Sequence, residues 1–489
     1  MRITNRMLIN NSLYNINGNK SNMDKLNTQL ASEKVIQRPS DDPIVAIRAL
    51  RFRSTISEID QYLDKNIQDA RSWMETTEEV LGSIVSIIGD ISEYCNQAVN
   101  GYYDSTDKKT IVEELKGFRD QVYNNANADC AGRTIFTGYK TDGMLTYTEE
   151  CDKTYEITQD FTKDDIDTVL KVVNALDISD VNDSTIDSVD INSIKLPTQQ
   201  NTYRIRLAYT ELDADAGVTL KIGDTELSAT IKESTDTDAY VPGDDDIYYL
   251  ADTGEIMLGK NAYAQFVASD GFSVTYTKTG YDKGELDPTQ FFNCIDKTDA
   301  DSSRWIKYTN RDQDIDYEIN FNQTITINTQ GKDVFTPDMT RDIDDLIDVV
   351  NFAVTANDKK AKLENMYNAA ADGSEAKEKY KQLLDLCERE IDFAEENMEK
   401  AFGKGLTIYE EHQSRVSLAR ADVGTKLNRL DLNESRLESQ RVTVENLKST
   451  NEDVNLTEVA VELEEASSIY DASLAAASKV VQKKLLDFL

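Results

Sequence analysis

The sequence predicts an α+β fold: a discontinuous, coiled-coil-like bundle of long helices built from both chain ends, with an inserted, mostly β outer domain. In both flanks, apolar residues recur every three or four positions, which is the helical period. The middle instead alternates β-forming and polar residues. The prolines fall only near residue 40 and between residues 197 and 337, so both flanks can hold long uninterrupted helices.

The N-terminal flank carries a heptad-like seam. The steps between its members alternate almost regularly between three and four, which predicts a long helix with one stripe packed against other helices. The seam consists of Ile56, Ile59, Leu63, Ile67, Ala70, Met74, Thr77, Leu81, Ile84, Ile88, Ile91, Cys95 and Ala98. We assign residues 43–145 to the N-terminal half of a helical core domain.

The C-terminal flank carries three further stripes. The first runs from Tyr380 to Ala401, where Gly403 and Gly405 are predicted to interrupt it, and the second from Val423 to Leu447. The third stripe is Val459, Leu463, Ala466, Tyr470, Leu474, Ala477, Val481, Leu485 and Phe488. We assign residues 338–450 to the C-terminal half of the core domain and residues 451–489 to a separate C-terminal helix.

Residues 146–337 differ from both flanks. The segment "TYRIRLAYTELDADAGVTLKIGDTELSATI" alternates β-formers with polar residues around acidic and glycine turns, which is the pattern of β-hairpins. The segments "GFSVTYTK" and "YEINFNQTITINT" repeat it. We therefore predict an inserted β-rich domain with short helices.

Two features mark residues 1–42. Residues 1–27 contain eight asparagines, which are poor helix formers, so a helix here needs a partner such as the C-terminal stripe. The stretch "QRPSDDPIVAIRAL" then places Pro39, Ser40, Asp41, Asp42 and Pro43 before an apolar helical pattern. Aspartate and serine cap helices, and proline suits the first turn. We call residues 39–43 the corner and predict that it ends one helix and starts another.

Composition excludes several classes of function. The net charge of −37 has the wrong sign for binding nucleic acid or an anionic membrane surface. Five scattered cysteines without a CxxC pair indicate neither a disulfide framework nor a zinc site. The single histidine, His412, lies in a charged helical stretch and is predicted to be a surface residue. We find no catalytic constellation, so we predict no enzyme, no cofactor and no metal.

Four segments resemble a known family. They are "MRITNRML" at the start, "RPSDDPIVAIRAL" at the corner, "GRTIFTGYKTDG" at Gly132–Gly143, and the C-terminal stretch that begins "LNRLDLNESRLESQRVTVENL". They resemble the flagellar hook–filament junction family, hook-associated protein type 3, of the flagellin superfamily. The resemblance covers roughly residues 1–145 and 400–489, and "YTKTGYDKGELDPTQFFNC" in the middle is also similar to that family's outer domain.

The resemblance implies a location and partners. Such proteins leave the bacterium through the flagellar type III export channel, which fits a start that lacks the apolar stretch of a signal peptide. A dedicated export chaperone binds their C-terminal helical region. Outside the cell the chain ends form the inner layer of a tube. A short ring of copies contacts hook-associated protein type 1 on one face and flagellin on the other.

The same resemblance implies which residues carry assembly. The corner would join the terminal helix to the long second helix. The inner layer would be formed by Met7, Leu26 and Leu30 from the start of the chain, and by Leu463, Tyr470, Leu474, Val481 and Leu485 from its end.

One departure and two alternatives stay open. The family usually has glycine where this chain has Glu33, so the bend before the corner is in question. The chain could instead be flagellin itself, the filament subunit, although flagellins usually carry a different motif at the corner. A binding role for the insert is the other alternative.

Overall fold

The structure, a computed structural model, describes residues 5–100, 105–182 and 184–482. Its helices are α1 (Asn5–Ser32), α2 (Pro43–Gln61), α3 (Ile67–Asn100), α4 (Ser105–Ala126), α5 (Lys260–Val267), α6 (Pro288–Phe291), α7 (Gly331–Val334), α8 (Pro337–Ala369), α9 (Glu375–Glu452) and α10 (Leu456–Gln482). A π-helical turn, Tyr62–Asn66, joins α2 to α3. The predicted α+β class, with long helices from both ends, is confirmed.

The strands lie between the two helical regions. They are β1 (Asp129–Cys130), β2 (Arg133–Thr134), β3 (Cys151–Phe161), β4 (Ile166–Val173), β5 (Thr198–Arg206), β6 (Val218–Ile222), β7 (Thr225–Leu227), β8 (Thr230–Lys232), β9 (Ile247–Leu250), β10 (Glu255–Leu258), β11 (Phe272–Tyr281), β12 (Asn293–Asp296), β13 (Ile306–Tyr308), β14 (Asp316–Asn320) and β15 (Gln323–Thr326). The predicted β-rich middle is therefore present.

Two sheets build most of this middle region. One has the order β4-β5-β10-β9-β8 and the other the order β13-β12-β3-β11-β6-β7. Strands β3 and β11 pair antiparallel over most of their length, with Phe161 opposite Phe272. Alternate residues of both sheets, among them Ile157, Ile205, Val274 and Tyr276, are buried in one apolar core.

The N-terminal seam is buried as its period predicts. Its members from residue 59 to residue 98 are almost inaccessible to solvent: Ile59, Leu63, Ile67, Ala70, Met74, Thr77, Leu81, Ile84, Ile88, Ile91, Cys95 and Ala98. The helix is not uniform, because the π-turn widens the backbone at residues 62–66. The apolar period continues through it.

The predicted interruption at Gly403 and Gly405 is wrong. Helix α9 continues through both glycines, from Glu375 to Glu452. A Cβ at Gly405 would lie 3.4 Å from the Cys95 Sγ, so the glycine allows close packing there. Each glycine costs about 1 kcal/mol relative to alanine, and the packing on both sides of the segment offsets this.

The chain divides into two compact units. Unit 1 holds the chain up to Arg71, Tyr317–Ile325 and the chain from Asn428 onward. Unit 2 holds Ser72–Asp316 and Thr326–Leu427.

A buried arginine connects four elements of unit 2. Arg204 on β5 contacts Asp167 on β4 at 2.8 Å, Glu255 on β10 at 2.6 Å and Asp345 on α8 at 2.7 Å. Because the guanidinium has five donors, it can satisfy several carboxylates at once. The arginine therefore links the five-stranded sheet to a core helix.

A second arginine extends this cluster to α9. Arg206 contacts Asp342 on α8 at 2.7 Å, and the other oxygen of Asp342 lies 2.8 Å from the His412 Nε2. His412 is buried, so its prediction as a surface residue is wrong. The charged stretch around it suggested exposure, but the histidine lies on the helix face toward α8, where a carboxylate accepts its hydrogen bond.

Replacement of Arg204 by methionine should destabilise unit 2. The change leaves three carboxylates without their shared cation, and breaking such a buried cluster costs about 3–5 kcal/mol. Both tryptophans, Trp73 and Trp305, lie in unit 2, so tryptophan fluorescence in a urea titration reports its unfolding. The matched control is Arg304→Met, whose exposed guanidinium contacts Asp299 at 3.0 Å and which should cost less than about 1 kcal/mol. Equal stabilities of the two variants would contradict a structural role for Arg204.

Unit 2 should also lose stability in acid. Burial opposes ionisation of Asp167, but the charges of Arg204 and Lys404 outweigh it and lower the pKa of this carboxyl to about 2. The pKa of Asp345 is lowered further, for the same reason, by Arg204 and Arg206. Unfolded aspartates titrate near pH 4, so the stability that these two carboxyls contribute should be fully present above about pH 5 and be lost as the pH drops from about 4 to 2. Urea titrations across this range test it; unchanged stability at pH 2 would refute it.

Candidate assembly site at the paired chain ends

The corner starts α2 as the sequence predicts. The Asp42 side chain accepts hydrogen bonds from the backbone N–H groups of Ile44 at 2.9 Å and Val45 at 3.1 Å, and Pro43 is the first helical residue. The Asp41 carboxylate accepts from the N–H groups of Arg38 at 2.8 Å and Gln37 at 3.0 Å. These backbone hydrogen bonds lower the pKa of Asp41. The hydrogen bonds of the two aspartates thus fix the backbone of the corner, while Pro39 and Ser40, which precede both aspartates, are exposed.

Helix α1 ends before the corner, at Ser32. The next residue, Glu33, has a φ of 58°, in the left-handed region where a side chain is strained. The left-handed residue stops the helix in the way that a C-terminal glycine usually does. A glycine at this position would adopt this conformation without strain, and here a glutamate adopts it.

The chain after α1 pairs with the chain before α10. Val35 N–H donates to the Glu452 carbonyl at 2.8 Å, and Val454 N–H donates to the Glu33 carbonyl at 3.1 Å. The Lys34 ammonium contacts the Asp453 carboxylate across this pairing. We call residues 33–35 and 452–454 the linker pair; it brings the end of α1 and the start of α10 to the same place.

From the linker pair, α1 and α10 pack against each other as antiparallel helices. Leu26, Val459 and Ala466 are buried between them, and the residues partly buried around this contact are Met23, Leu30, Val454 and Leu463. The predicted pairing of the two chain ends is present in the structure. It gives the asparagine-rich helix the partner that its composition requires.

The structure brings only some of the predicted assembly residues together. Leu26 is buried, while Leu30, Leu463 and Tyr470 are partly buried on the same side. Met7 and Leu474, farther from the linker pair, are 55% and 42% exposed. Val481 lies in the last turn of α10, where its side chain is not described, and Leu485 lies outside the described residues.

The sequence analysis did not find Glu452, the buried acid at this site. Its carboxylate accepts two hydrogen bonds from Arg53 on α2, from Nε at 3.1 Å and from Nη2 at 2.8 Å, and the Lys34 Nζ lies 3.8 Å away. The neighbouring Asn451 side chain donates to the Val45 carbonyl at 3.1 Å. These contacts tie the linker pair to α2. In the sequence Glu452 is one of two adjacent acids in "STNED" and one of 90 in the chain, so no local signal distinguishes it.

The part of the chain that is described contains no group of three or more histidine, cysteine or acidic side chains that could hold a metal ion. Burial raises the pKa of the Cys95 and Cys294 thiols to about 12, which makes them poor nucleophiles. None of its helices is both long and apolar enough to cross a membrane.

The chain ends are similar in sequence to known flagellar proteins. Residues 3–141 match the bacterial flagellin N-terminal helical region. The chain is also 33% identical over 144 residues to flagellar hook-associated protein 3 of Salmonella typhimurium, covering 29% of this chain and 45% of that protein. It is 29% identical over 199 residues to flagellar hook-associated protein 3 of Escherichia coli K12, covering 40% of this chain and 60% of that protein. The chain is thus similar to flagellar hook-associated protein 3 over part of its length, and the matches span about half of these relatives' lengths.

One solved structure also aligns with most of the chain. The flagellar hook-associated protein 3 of Legionella pneumophila aligns with 86% of this chain and 98% of its own, at 12% sequence identity and a TM-score of 0.30.

Replacing Glu33 by glycine should stabilise the α1–α10 contact. Glycine adopts the left-handed conformation freely, so the change removes about 1 kcal/mol of strain. We expect amide exchange in the last turns of α1 to slow about fivefold, measured by mass spectrometry on the full chain. The control is Glu33→Ala, which removes the carboxylate but keeps the Cβ and should not slow exchange. Equal slowing in both variants would mean that the carboxylate, and not the backbone angle, is unfavourable.

Proposed function

We propose that this chain is a structural subunit of the bacterial flagellum and that copies of it form the short junction ring between hook and filament. The observation that carries the proposal is the antiparallel pair of α1 and α10, whose apolar residues are only partly covered. The exposed members are Met7, Leu8, Leu13, Tyr14, Val461, Ile469 and Leu474. Apolar side chains exposed in this number on paired helices suit burial against neighbouring copies.

The proposed partners are those that the sequence resemblance implies. Hook-associated protein type 1 would contact one face of the ring and flagellin the other. An export chaperone would hold the C-terminal helical region before secretion through the flagellar type III apparatus. The homology to hook-associated protein 3 supports this over the alternative, that the chain is the filament flagellin. The corner sequence "RPSDDPIVA" supports it as well.

The role is structural and not enzymatic. Histidine is a frequent catalytic base, and the single histidine of the chain is buried and bonded to Asp342. In unit 2, Arg204 pairs with Asp167 and Asp345, and Arg206 pairs with Asp342. These carboxylates therefore stabilise the fold.

Immunogold imaging of flagella from the source bacterium tests the location. Label confined to one short band between hook and filament supports the junction ring. Label along the whole filament would make the chain a flagellin, and flagella without label would refute a flagellar role.

Leu474→Asp should fold normally and fail to assemble. The side chain is exposed in the single chain, so a carboxylate is tolerated there, but it would be unpaired and dehydrated in a packed helical layer. Incorporation into flagella, measured by immunoblot of sheared flagella, should fall at least tenfold. The control is Ile231→Asp on β8, a similarly exposed aliphatic residue of the insert, which should assemble normally. Normal incorporation of Leu474→Asp would contradict the packing role of α10.

A further inference from the structure

We propose that α2 of one copy docks on α10 of a second copy through two apolar faces of opposite charge. The inference deepens the proposed function and rests on it, since it names the contact between neighbouring copies. It concerns the first half of each helix, residues 44–51 of α2 and residues 458–469 of α10.

The α2 face is apolar and basic. Ile44, Ile47 and Leu50 are each more than half exposed, although large aliphatic side chains are usually buried. At 100° per residue, Arg48 and Arg51 fall on the same side of the helix, and both are exposed. Within the described residues neither arginine forms a salt bridge. The face thus combines apolar side chains, whose burial is favourable, with two positive charges that form no salt bridge within the described residues.

The α10 face is apolar and acidic. Val461 and Ile469 are more than half exposed, and Glu458, Glu462 and Glu465 are exposed beside them within one 100° band of the helix. At 100° per residue the centre of this band lies about 120° around the helix from the seam that packs on α1. None of the three glutamates forms a salt bridge within the described part of the chain.

The charges on the two faces are opposite in sign, and they are also similarly spaced along their helices. Arg48 and Arg51 are three residues apart, as are Glu462 and Glu465, so each pair of charges spans about one helical turn. In each face an apolar residue lies directly beside the charges. Attraction can therefore act on two charge pairs while the apolar side chains between them are buried.

Other exposed apolar residues fit α2 less well. Leu432, Val442 and Leu447 on α9 are exposed, but the surrounding stretch carries both signs of charge, with Arg436, Arg441 and Lys448 among its acids. A basic face would meet repulsion there. The α10 band contains only acidic charges, which favours it as the surface that binds the basic α2 face.

The contact requires a second molecule. The opposite face of α2 is already occupied, with Ala46 and Ala49 buried and Arg53 bonded to Glu452. Another face of α10 is covered by α1. When the α2 face of one copy meets the α10 face of the next without the reciprocal contact, the interface is heterologous, and its repetition generates a ring or a helical tube.

The first experiment replaces Ile47 with the photo-crosslinking residue benzoylphenylalanine in the full chain. Flagella are isolated and irradiated, and crosslinked peptides are identified by mass spectrometry. A crosslink to residues 456–470 of a second copy supports the contact. A crosslink elsewhere in this chain or to another flagellar protein, or none, overturns it while leaving the flagellar role intact. Absence of the chain from flagella would instead refute the proposed function.

A charge reversal tests the pairing of the faces. The double variant Arg48→Glu, Arg51→Glu should lower incorporation at least tenfold, because like charges would then face each other. Adding Glu462→Arg and Glu465→Arg should restore incorporation to within about threefold of the original. The control is Lys163→Glu, Lys283→Glu, which makes the same change in net charge at exposed sites of the insert and should not reduce incorporation. Normal incorporation of the first variant, or loss without rescue, would overturn the proposal.

Discussion

Both chain ends depend on the linker pair, in which residues 33–35 and 452–454 bond to each other. Backbone hydrogen bonds there fix where α1 ends and α10 begins, and this sets the register in which Leu26 meets Val459 and Ala466. Glu452 then ties this point to α2 through Arg53. A helix poor in helix-forming residues can thus hold its place, because its end is fixed at several atoms at once.

The spacing of apolar residues in the sequence correctly predicted the features that depend on neighbouring residues. The seam from Ile59 to Ala98 is buried as its spacing requires, and the alternating middle forms sheets. The cap at Asp42 could also be read from neighbouring residues, since capping acts over three positions. In each case the physical cause lies within one turn or one hairpin of the residue concerned.

Long-range charge pairing could not be predicted in this way. Arg53 meets Glu452, and His412 meets Asp342, across large separations in sequence, and each residue has many neighbours of similar chemistry. The φ of 58° at Glu33 could not be predicted from the sequence for a related reason. The linker pair imposes this angle, whereas glutamate by itself disfavours it. The glycines of α9 show the converse, where packing overrides a local signal that favours interruption.

The burial of His412 has a consequence for the chain surface. Histidine is the one side chain whose ordinary pKa lies between pH 5 and 8, and this chain has no second histidine. The exposed acidic and basic groups therefore keep their charges when the pH of the surrounding medium drifts through neutrality. Ionic strength is the variable that remains, since dissolved salt screens exposed charges over about 10 Å at 0.1 M. The strength of charge-mediated contacts between copies would then depend far more on salt concentration than on pH.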